Sequence, residues 1–343
     1  MHPRSALIIG AALFCGFFAM SSASQAGEDV LSRVRHNNQV RCAVDLTPGF
    51  SQINDNGEAA GFDVDFCRAV AAAALGDARK ISTQRISTAN KYKAVSGGEV
   101  DLGLGMSTWT LNRDTALGTH FPAVIFNDGQ GFAAWGDSGV KHLSDAKNAS
   151  VCVQTQTTSI DTLKSTIARN HLSLTLLELP SSEEKWNAFS AHKCALVTGD
   201  RSELASRRAT MAADPKRWLL LPETISREPL GPVVTAGDEQ WFQIVRWVAL
   251  VTQIAEARGV DSTNLDSLND GGDGELARLL GHDPDFGKAI GLDPQWARRV
   301  IAQVGNYAEI YNRNLGPGTA INLERGQNAL WSDGGLFYPP PLR

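Results

Sequence analysis

The chain reads as an α/β protein built from two units. Strand-like and helix-like segments alternate from Gln39 to Leu104, and a second alternation runs from Val151 to Asp200. At 343 residues the chain is longer than one hydrophobic core usually spans. With 43% hydrophobic and 20% charged residues, it has enough apolar surface to bury a large core.

In chain order, Met1-His2-Pro3-Arg4 is a short basic start, followed by an uncharged apolar run from Ala6 to Met20. Ser24-Gln25-Ala26 offers small residues at cleavage positions, so residues 1–26 read as a secretory signal peptide cut after Ala26. The run is too short for a membrane span, and no later stretch is long and apolar enough for one. Phe14 before Cys15 argues against lipid attachment, leaving Cys15 to be discarded with the leader.

The first unit opens with a buried strand over 39–44, turns at Pro48-Gly49-Phe50 and again at Asp55-Asn56-Gly57, and enters a helix after Gly61. Phe66, Ala69, Val70, Ala73 and Ala74 form the apolar face of that helix. A second helix over 91–96 stops at Gly97-Gly98, and 100–104 is a strand. The second unit begins with a strand at 151–153 and a polar loop, Thr155 to Ser159, that opens a helix through Leu163. It continues with a strand at 174–179, a helix around Trp186–Phe189, and a strand at 194–198 that ends at Gly199-Asp200. Trp241, Phe242, Val245 and Trp247-Val248 recur at helical spacing and read as core.

Beyond Cys15 the chain has four cysteines: Cys42, Cys67, Cys152 and Cys194. An even number in an exported protein favours disulfides, and four cysteines allow three connectivities. Pairing by neighbourhood gives Cys42–Cys67 and Cys152–Cys194, each worth roughly 2–4 kcal/mol; four buried thiols are the alternative.

The most informative segment is Gly105-Met106-Ser107-Thr108-Trp109-Thr110-Leu111-Asn112-Arg113-Asp114. It places small hydroxyls, an aromatic face and one arginine at the end of a strand. An arginine fork pairs bidentately with a carboxylate, and hydroxyls and free amides at a helix start add donors. The plainer reading is a solvated helix arginine. Asp200 ends a strand of the second unit, where open α/β sheets place ligands; the plainer role is a cap for the helix after it. Together Arg113 and Asp200 supply the cation and anion that a zwitterionic amino acid requires.

Other chemistries find little support. Removing residues 1–26 takes away Arg4 and no acid, moving the net charge from -5 to -6, which disfavours nucleic acid and anionic membranes. The seven histidines are scattered, no two cysteines are closely spaced, and no metal or other cofactor is expected. Gly103-Leu104-Gly105 lacks the third glycine of a dinucleotide loop. Asn269 to Glu275 does not match a calcium loop and reads as a turn.

The ordered series Gly61-Phe62-Asp63-Val64-Asp65-Phe66-Cys67, Gly98-Glu99-Val100-Asp101, Thr108 to Leu117, Asp128-Gly129-Gln130-Gly131-Phe132, Arg227 to Pro232, Gln303 to Tyr307 and Asn328 to Leu336 resembles the periplasmic amino-acid-binding proteins of ABC importers. It is most similar to the general L-amino-acid-binding subfamily, over essentially the whole mature chain. The resemblance implies a two-lobed type II periplasmic-binding-protein fold with the ligand between the lobes. Lobe one would comprise 27–135 and 231–343, including a C-terminal extension, and lobe two 136–230. The hinge would lie near Phe132-Ala133-Ala134 and Pro232-Val233-Val234. By the same resemblance, Arg113 holds the ligand carboxylate, Ser107, Thr108 and Thr158 assist, Asp200 takes the ammonium, and Phe50 lies against the ligand body. Trp109 joins this candidate set.

Two departures bear on specificity. Gln156 stands where the subfamily usually has glycine, and Gly105-Met106 where it tends to have Arg-Asn, so Gln156 and Met106 are the specificity candidates. The implied partners are a free L-amino acid and permease subunits, with the binding protein itself a monomer. Two other readings remain on the same fold. One is a periplasmic dehydratase of a cyclic amino or keto acid, with Asp200, Glu183 or Glu184 as acid or base. The other is a sensor that docks a receptor. The plainer reading of Glu183-Glu184 is an exposed helix start.

Overall fold

The computed structural model describes residues 29–343 except 55–56 and 212–213. The leader reading, with Cys15 and cleavage after Ala26, lies outside the described residues. So does the Asp55-Asn56 part of the expected hairpin turn, although the flanking strands Gln52–Ile53 and Ala59–Ala60 do pair antiparallel.

The first sheet has three parallel strands, with Val40–Val44 between Ile81–Arg85 and Leu102–Gly103. Parallel neighbours require crossover connections, supplied here by the helices Phe62–Leu75 and Thr88–Ser96. The helix Phe62–Leu75 buries 12 of its 14 residues, because the sheet covers one side and the helices Glu239–Ala257 and Trp296–Val304 cover the other. Gly61 at its start has φ +126°, and a Cβ there would lie 2.3 Å from the Phe50 carbonyl oxygen. Only glycine suits that approach.

The second sheet has five strands in the order Leu174–Leu179, Ala149–Gln154, Leu196–Asp200, Gln130–Trp135, Trp218–Leu220. Four run one way and Gln130–Trp135 runs against them. Strand alternation splits its core between the two faces. Val151, Val153 and Leu196 pack on one face, while Cys152 and Val197 join Trp186, Phe189 and Trp218 on the other.

Two connections join the sheets. The strands that flank them, Phe126–Asp128 and Glu228–Leu230, pair antiparallel with Glu228 opposite Asp128. Phe132-Ala133-Ala134, expected at the hinge, instead lie inside Gln130–Trp135, which is buried at every position between its two neighbours. This strand therefore belongs with the second lobe, whereas the sequence grouped it with the first.

The C-terminal part packs back on the first sheet. Trp241, Val245 and Val248 are buried along Glu239–Ala257, while Phe242 and Trp247 are half-buried at its margin. Trp241 Nε1 donates to the Asp101 carbonyl at 2.8 Å. Asp273, in the segment that superficially suggested calcium, caps the helix Gly274–Leu279 through the Glu275 and Leu276 amides. Tyr307 reaches the Ile125 carbonyl at 2.8 Å, and Asn328 accepts from the Asn127 amide at 2.6 Å, so the extension braces the strand that leads into the hinge.

The four cysteines form two disulfides, Cys42–Cys67 and Cys152–Cys194. Each bond joins a strand of one sheet to a segment beside it.

Candidate functional site

The carboxyl ends of strands from both sheets converge on one cleft. From the first lobe, Val40–Val44 delivers Asp45 and Thr47, and Leu102–Gly103 delivers Gly105, Met106 and Thr108. From the second, Ala149–Gln154 leads to Thr157-Thr158-Ser159, and Leu196–Asp200 ends on Asp200. Arg113, Lys185 and Glu203 complete the wall.

Buried polar groups hold the Gly105–Trp109 loop in shape. Lys91 is fully buried and donates to the Gly105 carbonyl at 2.6 Å and to Ser107 Oγ at 2.9 Å. The Asp63 carboxylate accepts from the Gly105 amide at 3.0 Å. Burial pushes the Asp63 carboxyl up to about 7, opposed by Lys91. Burial also pulls the Lys91 ammonium down to about 8, opposed by Asp45 and Asp63. Downstream, the Trp109 amide donates to Pro229 and the Gly231 amide to Ser107, so the loop is tied to the hinge strand.

Arg113 lies on the short helix Leu111–Thr115, where Thr110 caps its amide. Its Nη1 donates to the Thr108 carbonyl at 3.0 Å, and the guanidinium stands 5.1 Å from the Tyr92 ring centroid. No carboxylate pairs with it among the described residues. Across the cleft, the Asp200 carboxylate has no hydrogen-bond partner among the described residues, although it has acidic neighbours. Burial first, and then the charges of Asp128, Glu228 and Glu203, hold its carboxyl well above the usual range.

The other second-lobe charges are satisfied within the protein. Lys185 Nζ meets Glu203 Oε2 at 2.8 Å, and Glu203 also accepts from Trp186 Nε1 at 2.8 Å and Ser182 Oγ at 3.0 Å. Thr158 Oγ1 donates to Glu228 at 3.2 Å.

The lobes are closed in this structure. Ser206 Oγ donates to the Pro48 carbonyl and Arg207 Nη2 to the Leu46 carbonyl, each at 2.6 Å, and Arg85 meets Glu183 at 3.1 Å. The space left between Arg113 and Asp200 is about 70 Å³, room for roughly two waters at ~30 Å³ each. A ligand can enter only if the lobes part.

Arg113, Asp200, Thr108, Thr158 and Met106 all line this cleft. Four other candidates do not. Ser107 lies beneath the surface, bound to Lys91. Phe50 is buried against Phe62 and Phe126 at ring distances of 5.8 and 5.2 Å, because the Pro48-Gly49 turn directs it into the core. Trp109 stacks on Phe121 and faces outward. Gln156 is exposed, on a turn with φ 58°. That left-handed backbone is a glycine conformation, so the glycine usual in the subfamily has a backbone reason as well as a steric one. Asp45, Gln154 and Ser182 escaped the sequence reading. The rule that ligands sit beyond strand ends could have found the first two, since each directly follows or closes a buried strand.

The model of the bacterial extracellular solute-binding proteins, family 3, matches residues 40–255. The chain belongs to that family. It is 39% identical over 339 residues to the general L-amino acid-binding periplasmic protein AapJ of Rhizobium johnstonii, covering 98% of this chain and 99% of that protein. It is 41% identical over 337 residues to the glutamate/glutamine/aspartate/asparagine-binding protein BztA of Rhodobacter capsulatus, covering 96% and 98%. Among solved structures, it superposes with TM-score 0.89 and 36% identity on an ABC transporter periplasmic binding protein from Brucella ovis with glutathione bound, covering 92% of this chain and all of that one. Likeness at this level carries the two-lobed fold of the family.

Proposed function

We propose that this family 3 protein captures L-amino acids between its lobes in the periplasm and presents the closed, loaded form to the permease of an ABC importer. One observation carries the reading. Arg113 from one lobe and Asp200 from the other line the same cleft, and neither forms a salt bridge among the described residues. An α-carboxylate complements the first and an α-ammonium the second. A ligand on one lobe alone leaves one of its charges in water, and closure buries both against partners. The names of AapJ and BztA support the ligand class and the periplasmic setting.

Calorimetric titration of ligand-stripped protein against the standard L-amino acids tests this, with chromatography of each mixture afterwards. Saturable heat with the ligand recovered unchanged is expected. The raised Asp200 carboxyl is also what a general acid in a dehydratase would require, and a chemically altered ligand would establish that reading instead.

A further inference from the structure

The cleft does not end at the charged head-group site. A second cavity of about 480 Å³ adjoins it, and Asp45, Gln154 and Ser182 line both. In the closed form the inner space of about 70 Å³ leaves no room for a long side chain, and the outer chamber adjoins it at these three residues.

The passage and the chamber differ in chemistry. The passage is polar, lined by Asp45 from one lobe and by Gln154 and Ser182 from the other. Asp45 has no hydrogen-bond partner among the described residues and is matched to a donor such as an amide N–H. The chamber beyond carries Arg207. Its Nη2 reaches the Leu46 carbonyl at 2.6 Å, its Nε is buried without a partner, and no carboxylate pairs with it among the described residues. Its Nη1 is exposed and meets only the Met211 sulfur at 3.7 Å, so this half-buried guanidinium has a weakly engaged donor to offer a carboxylate.

We infer that the ligand class extends to γ-glutamyl peptides, with the glutamyl head between Arg113 and Asp200, the γ-amide at Asp45, and the distal carboxylate on Arg207. This rests on the amino-acid reading of the inner site. A γ-linkage leaves the α-carboxylate and α-ammonium on one carbon, as that site requires. An α-linkage consumes the carboxylate and removes it from Arg113.

Titration of the ligand-stripped protein with four probes tests this: L-glutamine, γ-L-glutamylglycine, γ-L-glutamylethylamide and α-L-glutamylglycine. The ethylamide keeps the head and amide but lacks the distal carboxylate, so the comparison needs no variant. The expected result is saturable binding of γ-L-glutamylglycine at least ~10-fold tighter than the ethylamide, with the α-linked peptide at least ~100-fold weaker. Arg207→Gln should bring γ-L-glutamylglycine down to the level of the ethylamide while preserving the ratio of ethylamide to L-glutamine. Because Arg207 also bridges the lobes, a uniform loss across all ligands would assign it to closure alone and overturn its role as receptor. Equal affinity for γ-L-glutamylglycine and the ethylamide would overturn the distal carboxylate site. Failure of both γ-linked probes while L-glutamine binds would overturn the proposal as a whole. Failure of L-glutamine and every standard amino acid would overturn the underlying reading with it.

Discussion

Asp128 and Glu228 face each other across the two-stranded ladder that flanks the passage between the lobes, so two carboxyls meet at the pivot. Neither has a salt-bridge partner among the described residues; hydroxyls hold them instead. Ser202 donates to Asp128, and Ser226 donates to Glu228 at 2.5 Å. Burial, with Glu228 adding to it, holds the Asp128 carboxyl up to about 6, and Asp200 nearby is raised further by the same neighbours.

An acid whose folded pKa is raised binds more protons folded than unfolded between the two values, so stability falls as pH rises through that window. Asp128 and Asp63 place the window between 3.8 and about 6 to 7. Thermal unfolding of ligand-free protein should therefore show a lower Tm at pH 7.5 than at pH 5. Asp128→Asn should shrink the difference. A Tm that rises across this range would contradict the assignment.

Ligand binding should release protons. An ammonium beside Asp200 favours the ionised carboxylate, so affinity for an amino acid should rise with pH through the window in which Asp200 titrates. Calorimetry in two buffers of different ionisation enthalpy reads this directly. Identical heats in both buffers would mean that Asp200 is already ionised in the free protein.

Arg113→Ala and Asp200→Ala should each weaken binding by at least ~30-fold, as expected when a buried, hydrogen-bonded charge loses its partner at a cost of about 2–5 kcal/mol. Circular dichroism should show intact folds for both. Wild-type affinity in either variant would remove that residue from the site. Arg113→Lys should recover only part of the loss, because an ammonium lacks the bidentate fork.

Lys91→Met should destabilise the fold by about 3 kcal/mol in urea unfolding, because it leaves the Asp63 carboxylate buried without its cation. The double variant Lys91→Met/Asp63→Asn should recover much of that loss. Additive losses would show that the two residues do not support the Gly105 loop as a unit.

Gln156→Gly should leave the ranking of ligands unchanged, because the side chain is exposed and outside the cleft. It should also raise stability slightly, by up to about 1 kcal/mol, because relief of the left-handed backbone exceeds the entropy that glycine costs. A changed ranking in a calorimetric panel would restore Gln156 as a specificity residue.

Much of the fold was legible because period-2 and period-3.6 patterns are local. The strand at 39–44, the helix after Gly61 and the strand ending at Asp200 all appear near their expected places. Gln130–Trp135 was grouped with the wrong lobe because a strand buried on both faces carries no sign of which sheet it joins; that depends on pairing with Leu196–Asp200, more than 60 residues away. That Arg113, Asp200, Thr108 and Thr158 would line one cleft was legible because strand ends were readable. Phe50 and Trp109 lie outside that cleft; an aromatic beside a turn serves a core, an outer face or a ligand equally well, and only tertiary packing decides. Lys91 carried no local signal, since nothing near it in sequence shows that its ammonium lies under the Gly105 loop.

Both disulfides stay within a single lobe: Cys42–Cys67 fastens the first sheet to its helix, and Cys152–Cys194 closes a loop on the second. No covalent link crosses the cleft among the described residues. The disulfides therefore harden each jaw separately and put no tether on the swing between them. Reduction should loosen the jaws individually, and the protein would lose its grip through softened shape rather than through any change in how far it opens.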